Sequence, residues 1–160
     1  MTRYSSDVKN VNAPCESVYM KLSNMNTFKV MKDSFDNRPS DEEIKSKLND
    51  KVTDEQYDKF KSVMQSMEFT EDSLSFTVDS LGKITLKIID REENKCVKYQ
   101  AVDFMLPITL WIQTLPTSAT TSKMKVTLET ELNMFFRTMI GKKLEKGIDN
   151  FAEIIAKLPY

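Results

Sequence analysis

Few of the residues that usually carry chemistry stand where chemistry could use them. The 160-residue sequence contains no histidine. That removes Ser–His and Cys–His nucleophile pairs, histidine-ligated metals and imidazole acid–base catalysis. The two cysteines, Cys15 and Cys96, are far apart and make no CxxC pair, so a thiolate metal site has no support. They read as small buried hydrophobes or plain thiols of an intracellular chain rather than as a disulfide. No metal and no cofactor is expected.

Three polar groups fall where the apolar pattern would turn them inward. Asp103 is in phase with Tyr99 and Ala101; a carboxylic acid buried there could act as general acid or base. A bulge before Pro107 would instead turn it to solvent. Arg137 falls near the middle of the apolar stripe of the closing helical pattern. It could hold a ligand carboxylate through two parallel hydrogen bonds, or snorkel and pair with Glu131. The Tyr99 hydroxyl is the third, with a hydrogen-bonded core role as its alternative. An acid, an arginine and a tyrosine could serve hydration or cyclisation, but their spacing alone does not bring them together.

The elements that must position these groups follow from periodicity. A first strand is predicted over Arg3–Asn12. Pro14 suits a helix start, with short helices over Cys15–Leu22 and Asn26–Lys32. Asp33–Pro39 reads as a loop. Ser40 with Glu43, and Thr53 with Gln56, have capping-box spacing and predict helices over Asp41–Leu48 and Thr53–Met67. This insertion, about 33–66, could lie over a cavity mouth as a lid or serve as an extra packing element. From Met67 the apolar period changes from about 3.6 to 2. Strands are predicted over Glu68–Thr70, Ser73–Asp79, Lys83–Asp90, Cys96–Asp103, Ile108–Leu115 and Lys123–Leu132, with turns at Glu71-Asp72 and Ser80-Leu81-Gly82. Consecutive alternating strands joined by short turns make an antiparallel meander with one apolar face. Asn133 then caps a helix from Met134 to about Leu158.

That helix is about 36 Å long at ~1.5 Å per residue and covers a strip about 10 Å wide. Six or seven strands about 4.8 Å apart make a sheet about 30 Å across. The sheet must therefore curl around the helix, which leaves space between them. The expected wall comprises Phe76 and Val78, Leu86 and Ile88, Val97 and Tyr99, and Leu110 and Ile112, with Asp103 as a polar candidate. The helix would add Phe136, Arg137, Met139, Ile140 and Leu144. Gly141 and Gly147 sit on or beside the apolar stripe, either for close packing or to leave room for a guest. Trp111 breaks the polar face, consistent with a homodimer patch, a contact for the inserted helices or a lone exposed aromatic.

Composition narrows the partners. Lys plus Arg total 23 and Asp plus Glu 24, a net charge of -1, which disfavours nucleic acid. No stretch approaches the ~18 apolar residues of a membrane span, and the first residues have no apolar core or small-residue cleavage site, so no secretory signal is expected. The expectation is one domain over 1–160, in the cytoplasm, with no stable membrane insertion.

Val11-Asn12-Ala13-Pro14, Glu16, Val18-Tyr19 and Leu22-Ser23 resemble the opening of SRPBCC-type proteins, the START and birch-pollen-allergen superfamily. Leu81-Gly82, Leu110-Trp111-Ile112-Gln113, Glu131-Leu132-Asn133, Lys142-Lys143-Leu144 and Leu158-Pro159-Tyr160 resemble a subfamily found mostly in Bacteroidetes, sometimes labelled polyketide cyclase-like. The resemblance covers about residues 3–32 and 67–160. It implies an α+β helix-grip fold, a curved antiparallel sheet wrapped around a long C-terminal helix over a hydrophobic cavity. The Asp33–Ser66 segment is longer than usual, the plant allergens' glycine-rich loop is replaced by Asp79-Ser80-Leu81-Gly82, and the cyclases' basic and hydroxyl constellation has no match. The expected function is binding of a small hydrophobic or lipid-like molecule without catalysis. The alternatives are a cyclase or hydratase using Asp103, Tyr99 and Arg137, and a protein-interaction module with a vestigial cavity.

Overall fold

The computed structural model describes residues 2–38, 40–47, 53–70, 73–78, 82–158 and 160. The opening segment pairs twice with one partner. β1 (Thr2–Ser5) and β2 (Lys9–Val11) both run antiparallel to β8 (Ser122–Thr130). The single strand predicted over Arg3–Asn12 is thus broken after Ser5. Ser6 explains how the break is tolerated: its N–H donates to the Val126 carbonyl at 2.8 Å, and its hydroxyl accepts the Val126 N–H at 3.0 Å. A side-chain oxygen stands in for a ladder carbonyl, so no buried backbone group is orphaned at the kink.

Pro14 leads into α1 (Cys15–Leu22), and the Asn24 side chain caps α2 (Met25–Asp36) by accepting the Asn26 N–H at 2.9 Å. The predicted loop over Asp33–Pro39 is corrected here, because α2 continues to Asp36. Its last turn delivers Phe35 to the inserted helices, where the ring meets Tyr57 and Phe60 at centroid distances of 6.4 and 5.5 Å. Burial of that ring outweighs the polar character of its neighbours. α3 (Asp41–Lys47) starts behind Ser40, whose hydroxyl accepts the Glu43 N–H. α4 (Asp54–Ser66) carries the predicted capping box of Thr53 and Gln56. Phe35, Tyr57 and Met64 are buried together, with Met31, Ile44, Phe60 and Ile154 packed around them. The described part of the insertion is therefore a packing element with its own small core.

The remaining strands are β3 (Glu68–Phe69), β4 (Ser73–Val78), β5 (Gly82–Glu92), β6 (Cys96–Val102) and β7 (Ile108–Pro116). Among the described residues they form one antiparallel sheet of order β1-β8-β7-β6-β5-β4-β3, with β2 also on β8. The predicted turn residues Glu71, Asp72, Ser80 and Leu81 lie outside the described residues. The closing helix, α5 (Met134–Ala156), is capped by Asn133, whose side chain accepts the Phe136 N–H at 2.9 Å. This is the helix-grip arrangement. Cys15 and Cys96 are both free.

α5 is anchored at the β1/β2 edge. Lys9 Nζ lies 3.0 Å from Asp149 and 3.1 Å from Glu153, and Asp149 also accepts the Asp7 N–H at 2.9 Å. Glu153 is buried and pairs with Lys157 as well. Burial works against charge on Lys9, but hydrogen bonds and attraction from Asp149 and Glu153 outweigh it and raise the ammonium above its ordinary value. From Ile148 onward, α5 packs through Ile148, Ala152, Ile155 and Ala156 into the main core.

Replacing Lys9 by Met should leave Glu153 with less compensation in a buried setting. The expected loss is about 1.5–3 kcal/mol, the worth of a hydrogen bond to a charged group, read as a lower urea midpoint at unchanged slope. Alkali should also unfold the protein. Burial, then the Asp41 hydrogen bond, pushes Tyr57 up to about 12, and burial raises Tyr99 and Tyr160 still further. A phenol whose folded-state pKa is raised stabilises the fold fully below its unfolded value near 10, and that stability drains away as pH climbs. The urea midpoint should therefore drop steeply between about pH 10 and 12.

Candidate functional site

The inner face of the sheet is covered more completely at one end than at the other. The row formed by Val97, Ile112 and Val126 is closed, at 1%, 1% and 0% exposure. In the next row Tyr99 and Leu110 remain buried, but Leu128 is only half-buried. One row further, Ala101 and Ile108 are both half-buried. These positions share the inward phase and belong to interior strands. Their partial exposure marks the part of the inner face that is covered least.

The sealed end is closed by α1 and α2. The Tyr99 hydroxyl donates to the Leu22 carbonyl, and its ring meets Phe28 edge-on. Burial raises the pKa of that phenol strongly, so Tyr99 is a structural donor at neutral pH. On the other wall stands α5. At ~100° per residue, Asp149 and Glu153 lie on the flank facing β2, and Ile140, Leu144 and Phe151 lie on the opposite flank. All three are half-buried.

The sequence-predicted residues divide accordingly. Leu86, Ile88, Val97, Tyr99, Leu110 and Ile112 are buried on the inner face, while Phe76 and Val78 are half-buried near its β4 edge. On α5, Ile140 and Leu144 are half-buried, whereas Phe136, Arg137 and Met139 are not covered: Phe136 is 45% and Met139 55% exposed, and Arg137 is exposed too. The reason is that α5 is held from Gly141 onward, and its first turns have no described strand beneath them to close against. Asp103 is also out of phase. Its φ of 53° puts a non-glycine residue in the left-handed region, which turns the chain and leaves the carboxylate exposed. Asp103 lies four residues beyond Tyr99, about 13 Å along an extended chain. Tyr99 is thus buried, whereas Asp103 and Arg137 are exposed.

Sequence reasoning left Ala101, Ile108 and Leu128 out of the wall, although their alternation carried the signal. Phe104, half-buried against the main core, follows the turn at Asp103 and had no periodic signal. Trp111 lies on the outer face, half-buried, with Arg3 5.4 Å and Lys98 5.3 Å from its ring centroid. Two cations account for it there.

An apolar recess of about 570 Å³ lies between α2, the insertion and the C-terminal segment. Phe35, Ile44, Phe60, Met64, Ile154 and Leu158 contribute to it, with Lys21, Arg38 and Lys157 at its polar parts. None of the sequence-predicted wall residues lines this recess. Among the described residues no group of acidic and cysteine side chains could hold a metal, and no helix is long and apolar enough to cross a membrane.

No protein-family model matches the chain, and no curated protein matches it significantly. Solved structures do. Norcoclaurine synthase from Thalictrum flavum, in complex with dopamine and hydroxybenzaldehyde, superposes with a TM-score of 0.64 at 13% identity, over 98% of this chain and 84% of that one. A conserved protein from Geobacillus kaustophilus gives 0.59 at 13% identity, over 98% and 93%. A protein from Thermus thermophilus gives 0.58 at 11% identity, over 98% and 95%. At such identities the likeness establishes a shared fold, the helix grip, and no more.

The two helical glycines separate by what lies beneath them. A Cβ on Gly141 would sit 3.1 Å from the Tyr4 hydroxyl, whereas one on Gly147 would meet nothing within 4 Å. Gly147→Ala should stabilise the protein by about 0.5–1 kcal/mol through helix propensity. Gly141→Ala should show a clearly smaller gain or a loss in the same thermal melts.

Proposed function

We propose that this protein binds a small, mostly apolar molecule in the hollow between the inner sheet face and α5, and does so without transforming it. The observation that carries this reading is the graded exposure of the concave face, closed at Val97, Ile112 and Val126 and open at Ala101, Ile108 and Leu128. An apolar surface left uncovered inside a fold is where a guest gains most from leaving water, at roughly 25 cal/mol per Å² of apolar area. The walls are hydrocarbon with few polar groups, the usual make-up of a small-molecule site. The same fold holds small aromatic molecules in the norcoclaurine synthase complex. Non-catalytic binding is favoured because Tyr99 is buried and bonded to Leu22, whereas Asp103 and Arg137 are exposed. The ligand class is hydrophobic or lipid-like, and the setting is the cytoplasm.

A second reading keeps the class of function and moves the guest to the recess beside the insertion, whose volume is in the range of about 300–1,000 Å³ typical of ligand pockets. One pair of variants separates the two. Titration with 1-aminoanthracene, followed by its fluorescence, should show saturable binding by the wild type. Ala101→Phe should weaken it about tenfold or more, a change on the order of 1.4 kcal/mol, at little cost in stability because the new ring enters free space. Were the hollow already packed, the same ring would overfill it and cost about 1–3 kcal/mol. That result, or a wild type that binds nothing, sinks the first reading. Loss of binding in Met31→Trp with Ala101→Phe unaffected would transfer the site to the recess.

A further inference from the structure

Among the described residues, three buried hydroxyls with no hydrogen-bond partner in the protein are gathered on one patch of the inner face. They are Thr2 Oγ1, Tyr4 Oη and Thr130 Oγ1. Thr2 and Thr130 are register partners across β1 and β8, and Tyr4, two residues on from Thr2, points to the same face. Tyr4 is 9% and Thr130 2% exposed. Buried hydroxyls are normally paired, because losing water without gaining a partner is costly. Three orphans at one place call for an explanation beyond chance.

Their position supplies one. Tyr4 pairs with Leu128, and Leu128 with Leu110; Thr130 pairs with both Thr2 and Ile108. The patch therefore continues directly into Leu128 and Ile108, the half-buried floor of the hollow. Gly141 of α5 lies over the Tyr4 hydroxyl, so the helix leaves backbone rather than a side chain above that group. No charged residue shares these inward register positions. Resting on the proposed hollow, we infer that this patch is the polar anchor of the ligand site, and that the guest is an apolar body ending in an uncharged oxygen, an alcohol or a carbonyl. Hydroxyls both donate and accept, which suits either group. A carboxylate would find no cation among these register positions, and its lost hydration would go unrepaid there.

Naphthalene, 2-naphthol and 2-naphthoate share one ring system and differ only in this terminus. At pH 7 the wild type should bind 2-naphthol about 2- to 10-fold more tightly than naphthalene, the span of one net hydrogen bond, and should bind 2-naphthoate more weakly than 2-naphthol. Tyr4→Phe and, independently, Thr130→Val should shrink the naphthol preference and leave naphthalene affinity unchanged. Without ligand, neither variant should melt lower than the wild type, because no protein hydrogen bond is lost. Equal affinity for naphthalene and 2-naphthol in the wild type overturns the anchor while leaving the hollow in place. So does a preference that survives both variants, or one accompanied by a lower ligand-free melting temperature, the mark of a purely structural role. Failure of the wild type to bind any of the three overturns the hollow and the anchor together.

Discussion

A single rod held along one edge of a broad concave sheet sets the terms for everything else in this molecule. α5 is fastened where Lys9 meets Asp149 and Glu153, where the Asp7 N–H meets Asp149, and where Gly141 rests on Tyr4. All of these contacts lie at the β1/β2 side. A helix about 10 Å wide fixed there cannot also cover β5, β6 and β7, so the middle of the concave face depends on other elements for closure. α1 and α2 supply it at one end, through Val18, Leu22 and Phe28. Toward the other end Ala101, Ile108 and Leu128 are covered less completely, and the proposed hollow follows from that anchoring.

The same constraint explains the distribution of polar groups. Of the charged side chains, Asp103 stands at a left-handed turn, Arg137 on the exposed first turns of α5, and Arg3 and Lys98 beside Trp111 on the outer face. Lys9, Asp149 and Glu153 are engaged with one another where α5 meets β2. The remaining inward positions of the sheet are mostly hydrocarbon and hydroxyl. Tyr99, a phenol deep in the core, is committed to Leu22 and holds the α1–α2 end shut.

The insertion works at a different place. Asp41 is its hub, taking hydrogen bonds from Arg38, Tyr57 and Lys61. The Arg38 guanidinium, followed by the Tyr57 hydroxyl and the Lys61 ammonium, holds that carboxyl well below the usual carboxylate range. These contacts orient α3 and α4 on α2, and Ile154 of α5 joins the resulting cluster. The C-terminal half of α5 is thereby supported from two sides, which sharpens the contrast with its exposed first turns.

Local pattern in the chain determined much of this protein. Alternation along 73–130 specified the meander and its inward phase, and cap spacing at Ser40, Thr53 and Asn133 specified where three helices begin. Both are short-range effects, decided by neighbours a few residues away. The mismatch in width between one helix and a sheet was legible too, and with it the prospect of a hollow. Tertiary contacts decided the rest. They extended α2 to deliver Phe35, broke the opening strand at Ser6, and turned Asp103 outward against its phase. They also determined which part of the long apolar stripe is covered. Phe136 and Ile155 carry the same signal in a helical projection, but only one has a partner surface. Periodicity records which face a helix offers; the anchoring of α5 at one edge decides where along its length that face is taken up.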